Sequence, residues 1–332
     1  MHSSSTTLTA STRNCSIAHL GETQLIEKIK SWLGPVSPHA PSGIGDDCAV
    51  MDPIQNGQQL VTTDSISYGQ HFDDSIAAKD AGAKLIKRNL SDIAAMGGAP
   101  TSAVLALLCS SDISVRWLND FFLGIRDVCE CYSVSILGGD VSSLKATSFS
   151  AVLTLFGSAS SPKLRTSSEI GDYIYVTGTL GGSILEKHYK FEPRIEEGQW
   201  LSRQPECHAL IDVSDGIAKD LHELLPTNAS AHLYLDRIPI SDAARQLSKT
   251  SGLQAIEHSF CDGEDYELLF TVDASTDKSV FEKRWKQRFV NTEITCIGTI
   301  QPGAMEGSYL DAVTLSALPW VHGFEHFKTK NE

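Results

Sequence analysis

Apolar side chains at 25, 26, 29, 32 and 33 (Leu25, Ile26, Ile29, Trp32, Leu33) recur at helical spacing and predict an amphipathic helix beginning near Glu22. Pro35 and Pro38 end it. Two strand candidates follow at 49–52 and 60–63, then a long helix over 77–95 with Leu85, Ile86, Leu90 and Ile93 on its inner face. That helix carries Asn89 and Asp92 in its last turns, ahead of Gly97-Gly98. Residues 103–108 read as a buried strand, and Val115, Leu118, Phe121, Phe122, Ile125 and Val128 mark another helix. A strand at 134–137 runs into Gly138-Gly139-Asp140, and 149–156 is strand-like.

The serine-rich segment 158–168, with Pro162, is the predicted linker. Beyond it, a strand at 173–177 feeds Gly178-Thr179-Leu180-Gly181-Gly182-Ser183, which should turn into a helix. Ile217, Leu221, Leu224 and Leu225 form the stripe of a further helix, which puts Ser214-Asp215-Gly216 at its N-terminus, where amides favour anions. Strands are expected at 233–235, 267–272 and 295–300. Strand and helix alternate in both halves, and the predicted organisation is a disordered leader over 1–18, an N-terminal domain over 19–158 and a C-terminal domain over 163–332. A chain of 332 residues is long enough to bury two cores of ordinary size.

Charge narrows the partners. With 27 basic against 41 acidic side chains, net −14, the chain is unsuited to gripping nucleic acid or an anionic membrane directly. No stretch approaches the roughly 18 apolar residues of a membrane helix. The 8 cysteines include no CxxC pair, and several lie in apolar runs such as Leu107-Leu108-Cys109, as buried thiols of a reducing compartment do. A soluble, cytoplasmic protein is expected. The Ser/Thr-rich opening 1–15 has a single arginine and no amphipathic period, which argues against a transit peptide.

Aspartate recurs beside glycine or small residues at six stations: Gly45-Asp46-Asp47, Thr62-Thr63-Asp64, Asn89-Leu90-Ser91-Asp92, Gly138-Gly139-Asp140, Asp212-Val213-Ser214-Asp215-Gly216 and Asp262-Gly263-Glu264-Asp265. Any one of these alone is most simply a turn or helix cap. Together they suggest magnesium, a hard cation held by a few carboxylates plus substrate phosphates. Clustered carboxylates stay ionised only if cations neutralise them. No GxxxxGK[ST] loop and no GxGxxG after a first strand is present, and Gly178–Gly182 is most simply a tight strand-to-helix turn. His71, alone in Gly69-Gln70-His71-Phe72, reads as structural on its own. Trp320, Phe324 and Phe327 read as packing residues or as a stacking surface for a flat heterocycle.

Taken in order, Gly43-Ile44-Gly45-Asp46-Asp47-Cys48-Ala49, Thr63-Asp64 with Gly69-Gln70-His71-Phe72, Asn89 through Gly97, Gly138-Gly139-Asp140, Tyr175 through Gly181, Asp212 through Gly216 and Gly263-Glu264-Asp265-Tyr266-Glu267-Leu268 resemble the thiamine-monophosphate kinase family over about 21–327. The resemblance implies an α/β and α+β, two-domain aminoimidazole ribonucleotide synthetase-like fold: an N-terminal sheet that pairs with its copy in a homodimer, and a C-terminal α+β domain. It implies a phosphotransferase of thiamine biosynthesis in which ATP and thiamine monophosphate give ADP and thiamine diphosphate, with several Mg2+ ions bridging protein and phosphates.

Carried over by position, the resemblance makes Asp47, Thr62, Thr63, Asp64, Asp92, Asp140, Asp212 and Asp215 metal-binding, with Asp92, Asp140 and Asp212 the catalytic core. Gly139, Asp140, Arg165 and Ser214 match nucleotide-contacting positions, and His71, Glu264 and Phe324 match positions that hold thiamine monophosphate. Asp262 and Tyr68 depart from the family pattern, as does the leader. The alternatives are another ATP-dependent synthetase of the same superfamily, aminoimidazole ribonucleotide synthetase-like or selenophosphate synthetase-like, and a non-catalytic regulator that kept the fold. A selenophosphate synthetase would want a reactive cysteine in a glycine-rich leader, whereas this leader has only Cys15 and no glycine before it.

Overall fold

The computed structural model describes residues 7–39, 42–44, 49, 51, 57–145, 148–303 and 308–320. The described residues fall into two compact units, one drawn from 1–93 and 99–160, the other from 94–98 and 161–332.

In the first unit, α1 (Gly21–Leu33) leads to β1 (Gln58–Ser67), α2 (Ala78–Ala95), β2 (Ala99–Ser110), α3 (Val115–Tyr132), β3 (Ser135–Leu144) and β4 (Phe149–Ala159). The four strands form one sheet in the order β1-β4-β2-β3. The β2–β3 pair is parallel, as the intervening α3 allows, and the other pairs are antiparallel. Strand alternation is plain on β4, where Ala151, Leu153 and Leu155 are fully buried and Ser150, Val152, Thr154 and Phe156 are half-exposed. Leu85, Ile86, Leu90 and Ile93 of α2 are buried as the helical period required. Two glycines let α2 and α3 cross closely: a Cβ at Gly82 would stand 1.9 Å from the Phe121 carbonyl oxygen, and one at Gly124 1.9 Å from that of Lys79. Trp117, Phe121 and Phe149 pack ring against ring beneath them.

The second unit contains β5 (Tyr173–Thr177), α4 (Lys187–Lys190), α5 (Ile195–Ser202), β6 (Cys207–Asp212), α6 (Ile217–Asp220), β7 (Ala229–Leu233), α7 (Asp242–Ser251), α8 (Ala255–Cys261), β8 (Leu268–Val272), α9 (Lys278–Arg288), β9 (Ile294–Pro302) and β10 (Tyr309–Asp311). Its six-stranded sheet has the order β10-β7-β9-β5-β8-β6, antiparallel except for β10 against β7. Both faces are covered. Ile174 and Val176 join Ile217, Leu221 and Phe260 in one core, and Trp320 packs on Phe260 at 5.4 Å between ring centroids. Tyr175, on the opposite face of the same strand, stacks on Phe270 and meets Phe281.

Several expectations are corrected. β1 begins at Gln58 and runs to Ser67, so Thr62-Thr63-Asp64 lie in mid-strand. β3 continues straight through Gly138-Gly139-Asp140, because the glycines are paired to Val104 and Leu105 and a Cβ at Gly139 would stand 1.8 Å from the Leu105 carbonyl oxygen. The turn after β5 leads to a 3-10 turn, Ser183–Leu185, and the single turn of α4. The helix expected through Leu225 stops at Asp220 and gives way to a 3-10 turn, His222–Leu224. β7 lies at Ala229–Leu233, not 233–235.

The leader, expected to be disordered over 1–18, is ordered over 7–18. Leu8 and Ile17 are buried, and main-chain bonds tie Ala10 N to Asp112 O at 2.8 Å and Ile17 N to Ile113 O at 3.0 Å. Two apolar anchors and a paired main chain offset the entropy that a serine-rich composition suggests would keep it loose. Residues 1–6, and positions 50 and 52 of the strand candidate at 49–52, lie outside the described residues. Among the described residues, no helix is long and apolar enough to cross a membrane.

Candidate functional site

In the first unit, the chemistry gathers where α2 crosses β1. Residues 62 and 64 share one face of the strand, and residues 88 and 92 share one face of the helix. The two pairs meet in antiparallel register. The Thr62 hydroxyl donates to Asp92 Oδ2 at 2.5 Å, and Arg88 Nη2 stands 3.2 Å from Asp64 Oδ1 while its Nη1 donates to the Ser65 carbonyl at 2.7 Å. Asn89, which follows Arg88 on α2, is completely buried; its Nδ2 donates to Leu85 O at 2.9 Å and its Oδ1 has no hydrogen-bond partner. Leaving such an oxygen unmet costs about 1–3 kcal/mol.

Thr63 points to the other face of β1, where its hydroxyl donates to Leu153 O at 3.2 Å and accepts from Thr154 at 3.1 Å. The structure therefore brings Thr62, Asp64 and Asp92 together and leaves the Thr63 side chain apart. Asp140 is also apart. It sits on β3, the opposite edge of the sheet from β1, three strand spacings or roughly 14 Å away. There it accepts from the Ser142 hydroxyl at 2.7 Å and, with Gly138 and Gly139, borders a cavity of about 660 Å³. Ile26, Ile29, Leu105, Leu107 and Phe122 line the cavity's apolar side.

His71 follows β1. Its Nδ1 accepts the Ser67 N–H at 3.0 Å, so the neutral ring carries its proton on Nε2 and can offer it to an acceptor. The fully buried Lys84 holds this loop by donating to the His71 carbonyl at 3.0 Å.

In the second unit, Asp212 ends β6, nearly buried, and the following loop is laced to the segment 263–267. Glu264 N donates to Ser214 O at 2.7 Å, Tyr266 N to Val213 O at 2.8 Å, and Val213 N to Glu267 O at 2.8 Å. Gly263, Glu264 and Tyr266 all adopt positive φ, at 70, 53 and 50°. For two non-glycine residues that backbone is strained, and the lacing is what over-determines it. Tyr266 stacks on Phe191 at 4.0 Å, and its hydroxyl donates to Glu264 Oε1 at 3.2 Å. His188, which nothing in the sequence singled out, stands 3.6 Å from Glu264 Oε2.

The glycine turn after β5 is no phosphate cradle. Gly181 N donates to both Asp265 oxygens, at 2.9 and 3.0 Å, and Gly182 N to Asp262 Oδ2 at 2.7 Å. Burial pushes Asp265 up to about 7, against the opposing pull of Lys187 and of the Gly181 amide. Burial would raise Glu267 too, but the Lys187 charge at 2.9 Å and the two-pronged Arg194 contact outweigh it and hold it at about 2.

Asp215 pairs with Lys219, and its N–H donates to Asp220 Oδ2 at 2.9 Å. Burial pushes Asp220 up to about 7, against that amide. Arg165 is exposed and 3.7 Å from Glu223. Asp47 and Phe324 lie outside the described residues.

The donors at the α2–β1 crossing are carboxylate and hydroxyl oxygens, the set a hard cation prefers. Among the described residues, no three His, Cys, Asp or Glu side chains are gathered closely enough to hold an ion.

Residues 45–159 match the family model described as AIR synthase related protein, N-terminal domain. The chain is 40% identical over 244 residues to the thiamine-monophosphate kinase of Rhodopirellula baltica, covering 71% of this chain and 77% of that one. It is 32% identical over 334 residues to that of Haemophilus influenzae, covering 93% and 98%. The solved structure of AaThiL complexed with AMPPCP and TMP superposes with a TM-score of 0.67 at 27% identity, covering 93% of this chain and 98% of that one. These likenesses show the two-domain aminoimidazole ribonucleotide synthetase-like fold, and the full-length similarity in sequence goes further: the chain belongs to the thiamine-monophosphate kinase family.

Proposed function

We propose that this enzyme transfers the terminal phosphoryl group of ATP directly to the phosphate of thiamine monophosphate. A phosphate oxygen of thiamine monophosphate forms the new bond to the γ-phosphorus as the bond to the bridging oxygen of ADP breaks, so no covalent enzyme intermediate is needed. That oxygen needs no general base, because a phosphate monoester loses its second proton near pH 6 (roughly). The difficulty is bringing two polyanions into line, which positioning and charge neutralisation overcome.

Thr62, Asp64 and Asp92 would hold magnesium at the α2–β1 crossing, Asp212 and Asp215 would do so in the second unit, and Asp47 belongs to the same reading as a further metal ligand. The all-oxygen donor set supports this reading. Bound magnesium would neutralise the phosphate oxygens and template their approach. Thr62 fixes the Asp92 carboxylate. The cavity between α1 and β3 would take the adenine base, with Gly139 and Asp140 at its polar end. His71 would donate Nε2–H to the phosphate of thiamine monophosphate, and Glu264 would meet its cationic thiazolium. Arg165, Ser214 and Phe324 belong to the same reading, as nucleotide and thiamine contacts.

The observation that carries the quaternary part is the strand order. Asp140 and the pair Asp64/Asp92 occupy opposite edges of one sheet, roughly 14 Å apart across three strand spacings. A homodimer in which the β3 edge of one copy meets the β1 edge of the second would unite them.

The testing experiment is a coupled assay of ADP release with ATP and magnesium, offering thiamine monophosphate, aminoimidazole precursors or selenide as acceptor. Turnover with thiamine monophosphate alone, abolished by chelator, is expected. Equal or faster turnover with another acceptor, or indifference to chelator, would overturn the reading.

A further inference from the structure

Arg88 stands one helical turn before Asp92, on the same face of α2, and its guanidinium occupies the space beside Asp64. Four residues of helix advance about 6 Å and two of strand about 6.8 Å, so the pairs Arg88–Asp64 and Asp92–Thr62 form matched rungs between α2 and β1. One rung carries a carboxylate steadied by a hydroxyl. The other carries a carboxylate already neutralised by a cation that cannot lose its proton. The Arg88 side chain is 15% exposed, less than the 30% of its partner, and its second prong is anchored on the Ser65 carbonyl at 2.7 Å. The guanidinium is thus fixed in place and is not a passing surface contact.

We infer that Arg88 is a built-in counter-cation of the metal site: it holds the Asp64 carboxylate in the ion-free protein and competes with a divalent ion for it. This rests on the proposed assignment of Asp64 and Asp92 to magnesium. A fixed positive charge a few ångströms from a divalent ion weakens ion binding, and in return the ion-free site avoids the repulsion of Asp64 with Asp92. Arg88 is a positioning residue, setting the magnesium concentration at which the site fills and keeping α2 docked on β1 below it.

The test uses the full chain and Mn2+ as probe, with free ion measured by electron paramagnetic resonance. Wild type should bind Mn2+, Arg88→Met should bind it about tenfold more tightly, and Arg88→Lys, which keeps the charge, should stay within about threefold of wild type. In thermal melts without metal, Arg88→Met should unfold below wild type, and Mn2+ should close the gap. Absence of Mn2+ binding by wild type would sink the metal assignment itself. Binding by wild type with equal or weaker binding by Arg88→Met would leave that assignment standing and sink the role of Arg88. If Arg88→Met does not fold, Arg88→Gln carries the same comparison.

Discussion

Thr62 and Asp92, thirty positions apart, meet at 2.5 Å, hydroxyl to carboxylate, and so fix the end of α2 on the edge strand β1. Asp140 lies on the other edge, where Gly139 lets β3 run close against Leu105 of β2. The proposed dimer makes a sharp prediction from this separation.

Asp92→Asn and Asp140→Asn homodimers should each lose at least about a hundredfold in turnover, with melting curves close to wild type. Co-expressed, the two should form mixed dimers in which one site has both wild-type residues, restoring roughly half the wild-type rate per mixed dimer. If purified mixed dimers stay as inactive as the parents, each site is built within one chain.

Glu264 is held at φ 53° by its bond to Ser214 O and is flanked by Tyr266 and His188. Glu264→Gln should raise KM for thiamine monophosphate about tenfold, as loss of a charge-assisted contact does, and leave KM for ATP within about twofold. A rise in KM for ATP of the same size would remove Glu264 from the thiamine side. Steady-state kinetics with each substrate varied in turn decides it.

Gly124→Ala should destabilise the protein by about 1–3 kcal/mol, since its Cβ would stand 1.9 Å from the Lys79 carbonyl and force α2 off α3. Because α2 carries Asp92, turnover should fall as well. Urea unfolding with an unchanged midpoint would show that the helices have room to part.

Asp265 is raised to about 7 by burial, with Lys187 and the Gly181 amide opposing. An unfolded aspartate titrates near 3.9 (roughly), so between about pH 4 and 7 the folded chain keeps a proton that the unfolded chain releases, and stability from this group falls as pH rises across that window. Asp265→Asn cannot ionise there. It should melt closest to wild type near pH 5 and gain on it toward pH 8; parallel curves over that range would contradict the assignment.

The long helices were legible because their apolar residues sit at 3.6-residue spacing, as Leu85, Ile86, Leu90 and Ile93 do on α2. α9 was not, since only Phe281 and Trp285 are buried along its 11 residues and, apart from the exposed Val280, the rest is charged or polar. β3 was cut short at Leu137, ahead of Gly138-Gly139, when the close approach of β2 is what demands glycine at 139. The acidic stations were visible as aspartates beside small residues. Their grouping was not, because strand order arises from pairings distant in the chain, and only that order separates Asp140 from Asp64. Arg88 had a local signal, its four-residue spacing from Asp92, but a basic residue on a helix face reads first as solvated surface. Ordering of the leader rested on Leu8 and Ile17, two apolar residues in a serine-rich run.

The turn at Gly181–Gly182 has the shape of a nucleotide loop and the electrostatics of its opposite. Each of its amides is already taken up by one of the chain's own carboxyl groups, so neither N–H is left to meet an incoming triphosphate. Among the described residues this glycine-rich turn is closed on the chain itself, and in the proposed reaction bound magnesium would meet the phosphates in its stead.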